Sequence, residues 1–229
     1  MIKTKEELKY FLLEDLKRYG GNKPSLFDYI LHKEWVIWWN YQKIVRYFEY
    51  YENNRDRSLW HKAMWFWYYY RHRKRSLELH SFIHPNTVGP GLCIYHTGQV
   101  MLSRTSTIGR NFTCRPGCVI GNIDGNQKAA TIGDEVTLSL GVKVLGPVTI
   151  GRGSLINANS VVTTNVPPYA VVTGNPAKIM GFRMTPKEIV NYEKLHYDEE
   201  YRLSLDLLES NYQKYFLNRR KEIINLIKL

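Results

Sequence analysis

Cysteine is scarce: the 229-residue chain has Cys93, Cys114 and Cys118, an odd count with no metal-ligand spacing, and a reducing cytoplasm fits that usage. Long apolar runs are missing as well. The longest uncharged aromatic stretches, Trp35 to Gln42 and Ala63 to Tyr70, fall far short of the ~20 residues of a spanning helix, so no segment is expected to cross a membrane. The first residues, with Lys3, Lys5, Glu6 and Glu7, lack the basic head and apolar run of a signal peptide. Acidic residues are in the minority, 21 against 32 basic ones, and the net charge of +11 suits an anionic ligand or surface. Charge alone does not choose among nucleic acid, phospholipid headgroups and a phosphorylated cofactor. Also absent are a G-x-S-x-G elbow, a Walker loop, a dinucleotide fingerprint and H-E-x-x-H.

What is present is a six-residue ruler. Leu102, Ile108, Cys114 and Ile120 fall six apart, as do Ile132, Leu138, Val144, Ile150, Ile156 and Val162, in the same phase. Asn126 alone breaks the series, and Val88, Ile94 and Val100 form a shorter set shifted by two. Glycine follows the ruler residue at Gly89, Gly109, Gly121, Gly133 and Gly151, where backbone must pass closely. Neither a helical period of 3.6 nor a strand period of 2 explains this spacing. It predicts a parallel β-helix over residues 82–183, each hexad giving a short strand and a corner, with ruler residues stacked inward. Cys114 lies on the ruler and is therefore expected to be an inward, apolar thiol. The stretch from Gly121 to Thr131 is expected to be a loop thrown out from one corner, and Pro167 and Pro168 are expected to stop the ladder.

On either side of the coil the pattern is helical. Thr4 and Glu7 form a capping box before a helix over 5–19. Further helices follow to about residue 80, broken near Asn53 and Asn54, so residues 1–81 form an N-terminal α-helical domain. All six tryptophans lie here, close to the basic run Arg71, His72, Arg73, Lys74 and Arg75. Helical packing with a solvated basic end accounts for this composition. Peripheral contact with an anionic membrane surface is the sharper reading, and nucleic acid is disfavoured because no binding motif accompanies the charge. After Thr185, Pro186 and Glu188 cap a new start, residues 184–229 form a C-terminal helical extension with helices over 186–196 and 202–227. The last carries a stripe of Tyr212, Tyr215, Phe216, Ile223, Ile224 and Ile227.

Histidine is the chemical candidate that remains, since no acid and base pair is visible among the carboxylates. His84 and His96 lie in the coil, among residues where an imidazole is unexpected. His96 stands two positions after Ile94, so its side chain should emerge near a corner, where an imidazole can act as a general base near neutral pH.

The runs IHPNTVGPGLCIYHTGQV, LGPVTIGRGSLINANSVV and VPPYAVVTGNPAKIMG resemble hexapeptide-repeat O-acetyltransferases of the serine acetyltransferase type, including relatives that act on capsular and other surface polysaccharides. The resemblance implies a left-handed β-helix, a homotrimer, and acetyl-CoA lying along the groove between neighbouring coils, with no metal. His96 matches the catalytic histidine of that type. Leu140, Ala158 and Thr163 match positions lining the pantetheine arm, and Lys178 matches a basic residue near the nucleotide phosphate. The chain departs from serine acetyltransferases in three places. Tyr95 stands where an acidic residue precedes the histidine, an Arg-His pair falls at Lys128 and Ala129, and the acidic partner of the base, aligned near Phe82, is missing.

Those departures remove charges that a free amino acid needs, so the expected acceptor is a sugar hydroxyl of a surface polysaccharide or its precursor. Tyr95, Asp124, Asn126 and His84 are its candidate contacts. Serine O-acetylation is the alternative, and a non-catalytic trimeric scaffold or membrane-surface adaptor is the alternative from a different class. The expected setting is the cytoplasm, including the inner face of the membrane.

Overall fold

The computed structural model describes residues 1–123 and 128–217. Asp124 and Asn126, and the stripe residues Ile223, Ile224 and Ile227, lie outside the described residues, as do the tip of the expected loop and the last part of the expected 202–227 helix.

The ruler becomes a three-faced parallel coil. The first face collects Phe82–Ile83, Val100–Leu102, Cys118–Gly121, Lys143–Leu145 and Val161–Val162. The second collects Thr107–Ile108, Thr131–Ile132 and Thr149–Ile150, flanked by bridges at Val88 and Val166. Cys93–Ile94, Thr113–Cys114, Thr137–Leu138, Leu155–Ile156 and Ala170–Thr173 make the third. The chain visits the faces in rotation, and in the regular coils partners such as Ile132 and Ile150 or Leu138 and Ile156 are 18 residues apart. Ruler residues from Leu102 to Val162 are at most 3% exposed, which at about 1.5–3 kcal/mol per buried aliphatic side chain makes their stack the main source of cohesion. Cys114 is fully buried among them, and burial pushes its thiol well up.

Both irregularities of the ruler have structural counterparts. The pairs Ile108 with Ile132 and Ile120 with Val144 are 24 apart, six more than a regular coil, because the chain leaves the prism after Gly121. Ile94 pairs with Cys114 across 20 residues whereas Val100 pairs with Cys118 across 18, so two extra residues sit in the corner from Tyr95 to Gln99. The glycines that follow ruler residues do serve close approach. A Cβ on Gly133 would lie 2.6 Å from the Arg152 amide nitrogen.

Pro167 and Pro168 do not end the coil. They occupy a corner, where Gly151 donates to Val166 and Tyr169 donates to Arg152, so neither proline is asked for an N–H. The parallel ladder runs on to Ala170–Thr173, and Lys178–Phe182 then pairs antiparallel to it.

Four helices precede the coil: α1 (Lys5–Lys17), α2 (Leu26–Ile30), α3 (Glu34–Asn53) and α4 (Leu59–Glu78). The Thr4 and Glu7 capping box starts α1, and α3 breaks off at Asn53 and Asn54. Helix α3 is buried along most of its length and contributes Trp38, Tyr41 and Val45 to the same core as the ruler residues. Arg46, 1% exposed, docks it on the first coil. Its Nε and Nη2 donate to Asp15 at 2.8 and 3.2 Å, and its guanidinium also donates to the carbonyls of Val88 and Gly89, both at 2.7 Å. Asp15 accepts in turn from the amides of Gly91 and Leu92.

Packing does not absorb every aromatic residue. Trp38 and Trp39 are buried, but on α4 Trp60, Phe66, Trp67 and Tyr70 stay more than half exposed. Within the basic run, His72 is not part of a solvated end: it is 3% exposed, contacts the Ile83 carbonyl at 2.8 Å and stacks on Tyr41. Among the described residues no helix is long and apolar enough to cross a membrane. After the coil come α5 (Pro186–His196) and α6 (Leu205–Tyr212), which begins three residues later than expected and packs Leu208 with Ile189 against Tyr169 at the coil end.

Burial lowers the His72 imidazole from its ordinary value to about 4, with His84 and Arg73 adding to the effect and the Ile83 carbonyl opposing it. Between about 4 and the ordinary value of about 6.5 the unfolded chain takes up a proton that the folded chain refuses. Stability is therefore expected to fall as pH drops through that window, by roughly 3 kcal/mol from this group at its fullest. Urea unfolding of the native chain and of His72→Phe across this range checks it: the gap between the two should shift in favour of the variant as pH falls.

Candidate active site

The corner between the third and first faces repeats a single position two residues past each ruler residue. His96, Pro116, Leu140, Ala158 and Gly174 occupy it on successive coils, joined by bonds such as Gly141 N to Pro116 O and Asn159 N to Leu140 O. Coils are spaced at about 4.8 Å, so His96, Leu140 and Ala158 lie along one edge of the prism. Leu140 and Ala158 are exposed there, and the hairpin after Gly174 brings Lys178 back toward the end of the same edge.

His96 is the one non-glycine member of this row with left-handed backbone, Gly174 at φ 102° being the other residue of the row in that region. The two extra residues of its corner place it at φ 63°, in the left-handed region, with Gly98 at φ 149° two residues on. A Cβ at Gly98 would stand 2.7 Å from Pro116, so the bulge closes only with glycine.

Helix α3 grips this bulge through two residues one turn apart. Trp38 donates its indole N–H to the His96 carbonyl at 2.8 Å, and Glu34 places Oε2 3.2 Å from His96 Nδ1 and Oε1 3.3 Å from the Thr97 hydroxyl. Residues at i and i+4 share a helix face, which is why one helix can hold both the backbone and the ring. A carboxylate only accepts, so the bond requires the proton on Nδ1 and leaves Nε2 as the ring's acceptor. The bond to His96, followed by the Thr97 hydroxyl, holds the Glu34 carboxyl below its ordinary value. An orienting carboxylate is thus present after all, on a helix 62 residues upstream rather than near Phe82.

The ring faces a cavity of about 350 Å³ lined by Tyr19, Lys33, Glu34, Trp35, Ile94, Tyr95 and His96. Tyr19 and Trp35 stack at 6.1 Å, and the Tyr19 hydroxyl is fixed by the Ile94 backbone and by Gln42. Tyr95 is 43% exposed at the mouth. Lys33 is already paired with Asp28 at 2.5 Å.

Not every candidate gathers here. His84 lies between the first and second faces, as does Thr163, so the chain itself does not bring either of them to His96. Ala129, where the serine acetyltransferase pattern has histidine, is buried. Among the described residues no group of His, Cys, Asp or Glu could hold a metal.

No protein-family model matches the chain. A curated serine acetyltransferase of Mycobacterium tuberculosis is 40% identical over 102 residues, covering 43% of this chain and 44% of that protein. A serine acetyltransferase structure from Neisseria gonorrhoeae superposes with a TM-score of 0.62 at 26% identity, over 80% of this chain and 70% of the other. The chain has the serine acetyltransferase fold. A serine acetyltransferase solved with CoA also matches, with a TM-score of 0.58 at 24% identity over 77% of this chain and 70% of that one. The chain spans less than half the length of the curated serine acetyltransferases it matches.

Replacing His96 by Ala is expected to return the Glu34 carboxyl upward toward the ordinary range, read by carboxyl NMR titration. Trp38→Phe, which leaves both partners of that bond, is expected to move it less.

Proposed function

We propose that the chain is an acetyl-CoA-dependent O-acetyltransferase with His96 as general base. The observation that carries this reading is the Glu34 and His96 pair standing at the head of the edge that also displays Leu140 and Ala158. In the proposed reaction Nε2 of His96 removes the proton from an acceptor hydroxyl as its oxygen attacks the thioester carbonyl. The imidazolium then returns that proton to the sulfur as the carbon–sulfur bond breaks, so transfer is direct and no acyl-enzyme forms. Glu34 fixes the ring and compensates its transient charge. The serine acetyltransferase complex with CoA supports the choice of donor. Leu140 and Ala158 are proposed to line the pantetheine arm and Lys178 to meet phosphate. The likeness of the fold to serine acetyltransferases supports a left-handed coil, and a homotrimer is proposed with it on the resemblance of the repeats.

For the acceptor the comparisons favour L-serine, the alternative of the sequence reading, over a sugar, since the similar proteins are named serine acetyltransferases. A sugar hydroxyl is the second reading, favoured by the cavity itself. Trp35 and Tyr95 offer aromatic walls, while both nearby charges are engaged, Lys33 with Asp28 and Glu34 with His96. The exposed aromatic face of α4, beside Arg71, Arg73 and Lys74, is where a subunit or membrane-surface contact would form.

Release of free thiol from acetyl-CoA, measured with L-serine and with a panel of sugars, tests the proposal. His96→Ala is expected to cut turnover by roughly 10²–10⁴-fold. Unchanged turnover in that variant would remove His96 as base. Turnover with a sugar and none with serine would reverse the order of acceptors.

A further inference from the structure

Helix α4 turns an unpartnered apolar face outward. It packs on α3 through His72 and Ser76, which meet Tyr41, while Leu59, Trp60, Phe66, Trp67, Tyr70 and Leu77 are all more than half exposed. At about 100° per residue these six side chains fall within one arc of roughly 120°. Lys62 and Arg73 border that arc on one side and Arg71 on the other, with Lys74 inside it. The helix carries five Lys and Arg residues against one carboxylate, Glu78.

A groove of about 550 Å³ lies between α3 and α4 at the basic border of this face, lined by Lys43, Tyr47, Tyr68, Arg71, Lys74 and Arg75 among others. Its one carboxylate, Glu78, is bonded to Arg75 at 2.8 Å. Aromatic rings support the cations: Lys43 Nζ is 5.6 Å from the Trp39 ring centre, and the Arg71 guanidinium carbon is 5.9 Å from that of Trp67 and 6.0 Å from that of Tyr68. Burial, followed by the charge of Arg71, lowers the Lys43 ammonium below its ordinary value. Like charges are thus gathered here in excess of the carboxylate available to them. Helix α2 adds a second unpartnered apolar segment at the rim. None of its residues is buried, Leu26, Phe27 and Ile30 are exposed, and the Tyr29 hydroxyl donates to Asn40 of the groove at 3.4 Å.

We propose that this surface docks on a bilayer of anionic phospholipid, the apolar face of α4 entering the headgroup region and lipid phosphates meeting Lys43, Arg71 and Lys74. Tryptophan and tyrosine favour the boundary between water and hydrocarbon, and long cationic side chains bordering an apolar face reach outward to phosphate. The contact is peripheral, since α4 is not apolar enough to span. Charge decides against a second copy of the chain as the occupant. A two-fold contact sets the same patch on both subunits, so these cations would confront one another with Glu78 already engaged. The docking surface is independent of acetyl transfer, because neither α2 nor α4 carries His96 or Glu34.

Flotation of the full chain with vesicles of phosphatidylcholine alone, and of equal parts phosphatidylcholine and phosphatidylglycerol, tests this surface. Binding to the anionic vesicles only is expected. The triple variant Lys43→Gln, Arg71→Gln, Lys74→Gln should weaken it about tenfold or more, and so should Trp60→Ser, Phe66→Ser, Trp67→Ser, so either variant carries the test if the other does not fold. Lys5→Gln, Lys9→Gln, Lys187→Gln removes the same charge from exposed positions on α1 and α5 and should weaken binding far less, while His96→Ala should leave it unchanged. Sedimentation equilibrium should give the aromatic variant the same assembly size as the native chain. No binding to anionic vesicles, equal binding to phosphatidylcholine alone, losses as large in the control variant, or a smaller assembly in the aromatic variant, the mark of a subunit contact, would each overturn the proposal.

Discussion

The structure depends on the buried contact between Arg46, Asp15 and the first coil. A buried charge is tolerated only where its donors are matched, and Arg46 meets this with Asp15 on α1 and the carbonyls of Val88 and Gly89. Asp15 uses its remaining capacity on Gly91 and Leu92. The triad therefore ties two helices to coil backbone that would otherwise begin the ladder with unpaired groups. Removing one partner of such a contact costs about 3–5 kcal/mol, because it strands the other charge.

That docking has a consequence at the other end of α3. A helix rises about 1.5 Å per residue, so fixing Arg46 places Glu34 about 18 Å away along a rigid rod. Trp38 then holds the His96 carbonyl, and Glu34 meets the ring. Both bonds fall on a corner that is two residues longer than its neighbours, where the backbone is free to take up the left-handed conformation. An exposed ion pair contributes little by itself. Its geometry here is set by the buried contacts along the rest of the helix.

Much of this was legible in the sequence, for reasons specific to the repeat. A ladder requires the same residue type at each rung, so the ruler disclosed the faces, and its phase shift, read between Val100 and Leu102, fell just past the corner that carries the two extra residues and His96. Glu34 was not legible, because a contact across 62 residues between a helix and a coil leaves no spacing to read. The serine acetyltransferase pattern pointed to Phe82 for an acidic partner, while the chain supplies one from another segment. The two prolines misled for a similar reason: a corner asks for no amide donor, so Pro167 and Pro168 fit inside the coil. His72 was assigned to a basic surface by its neighbours in sequence, yet its side of the helix is the buried one.

The central claim is that the helical domain orients the base of the coil. A double-mutant cycle on kcat/KM for acetyl transfer tests it most directly, with Glu34→Gln, His96→Ala and the pair. If Glu34 acts through His96, Glu34→Gln lowers kcat/KM in the native chain and has no further effect once His96 is gone. Equal losses from Glu34→Gln in both backgrounds would contradict the account.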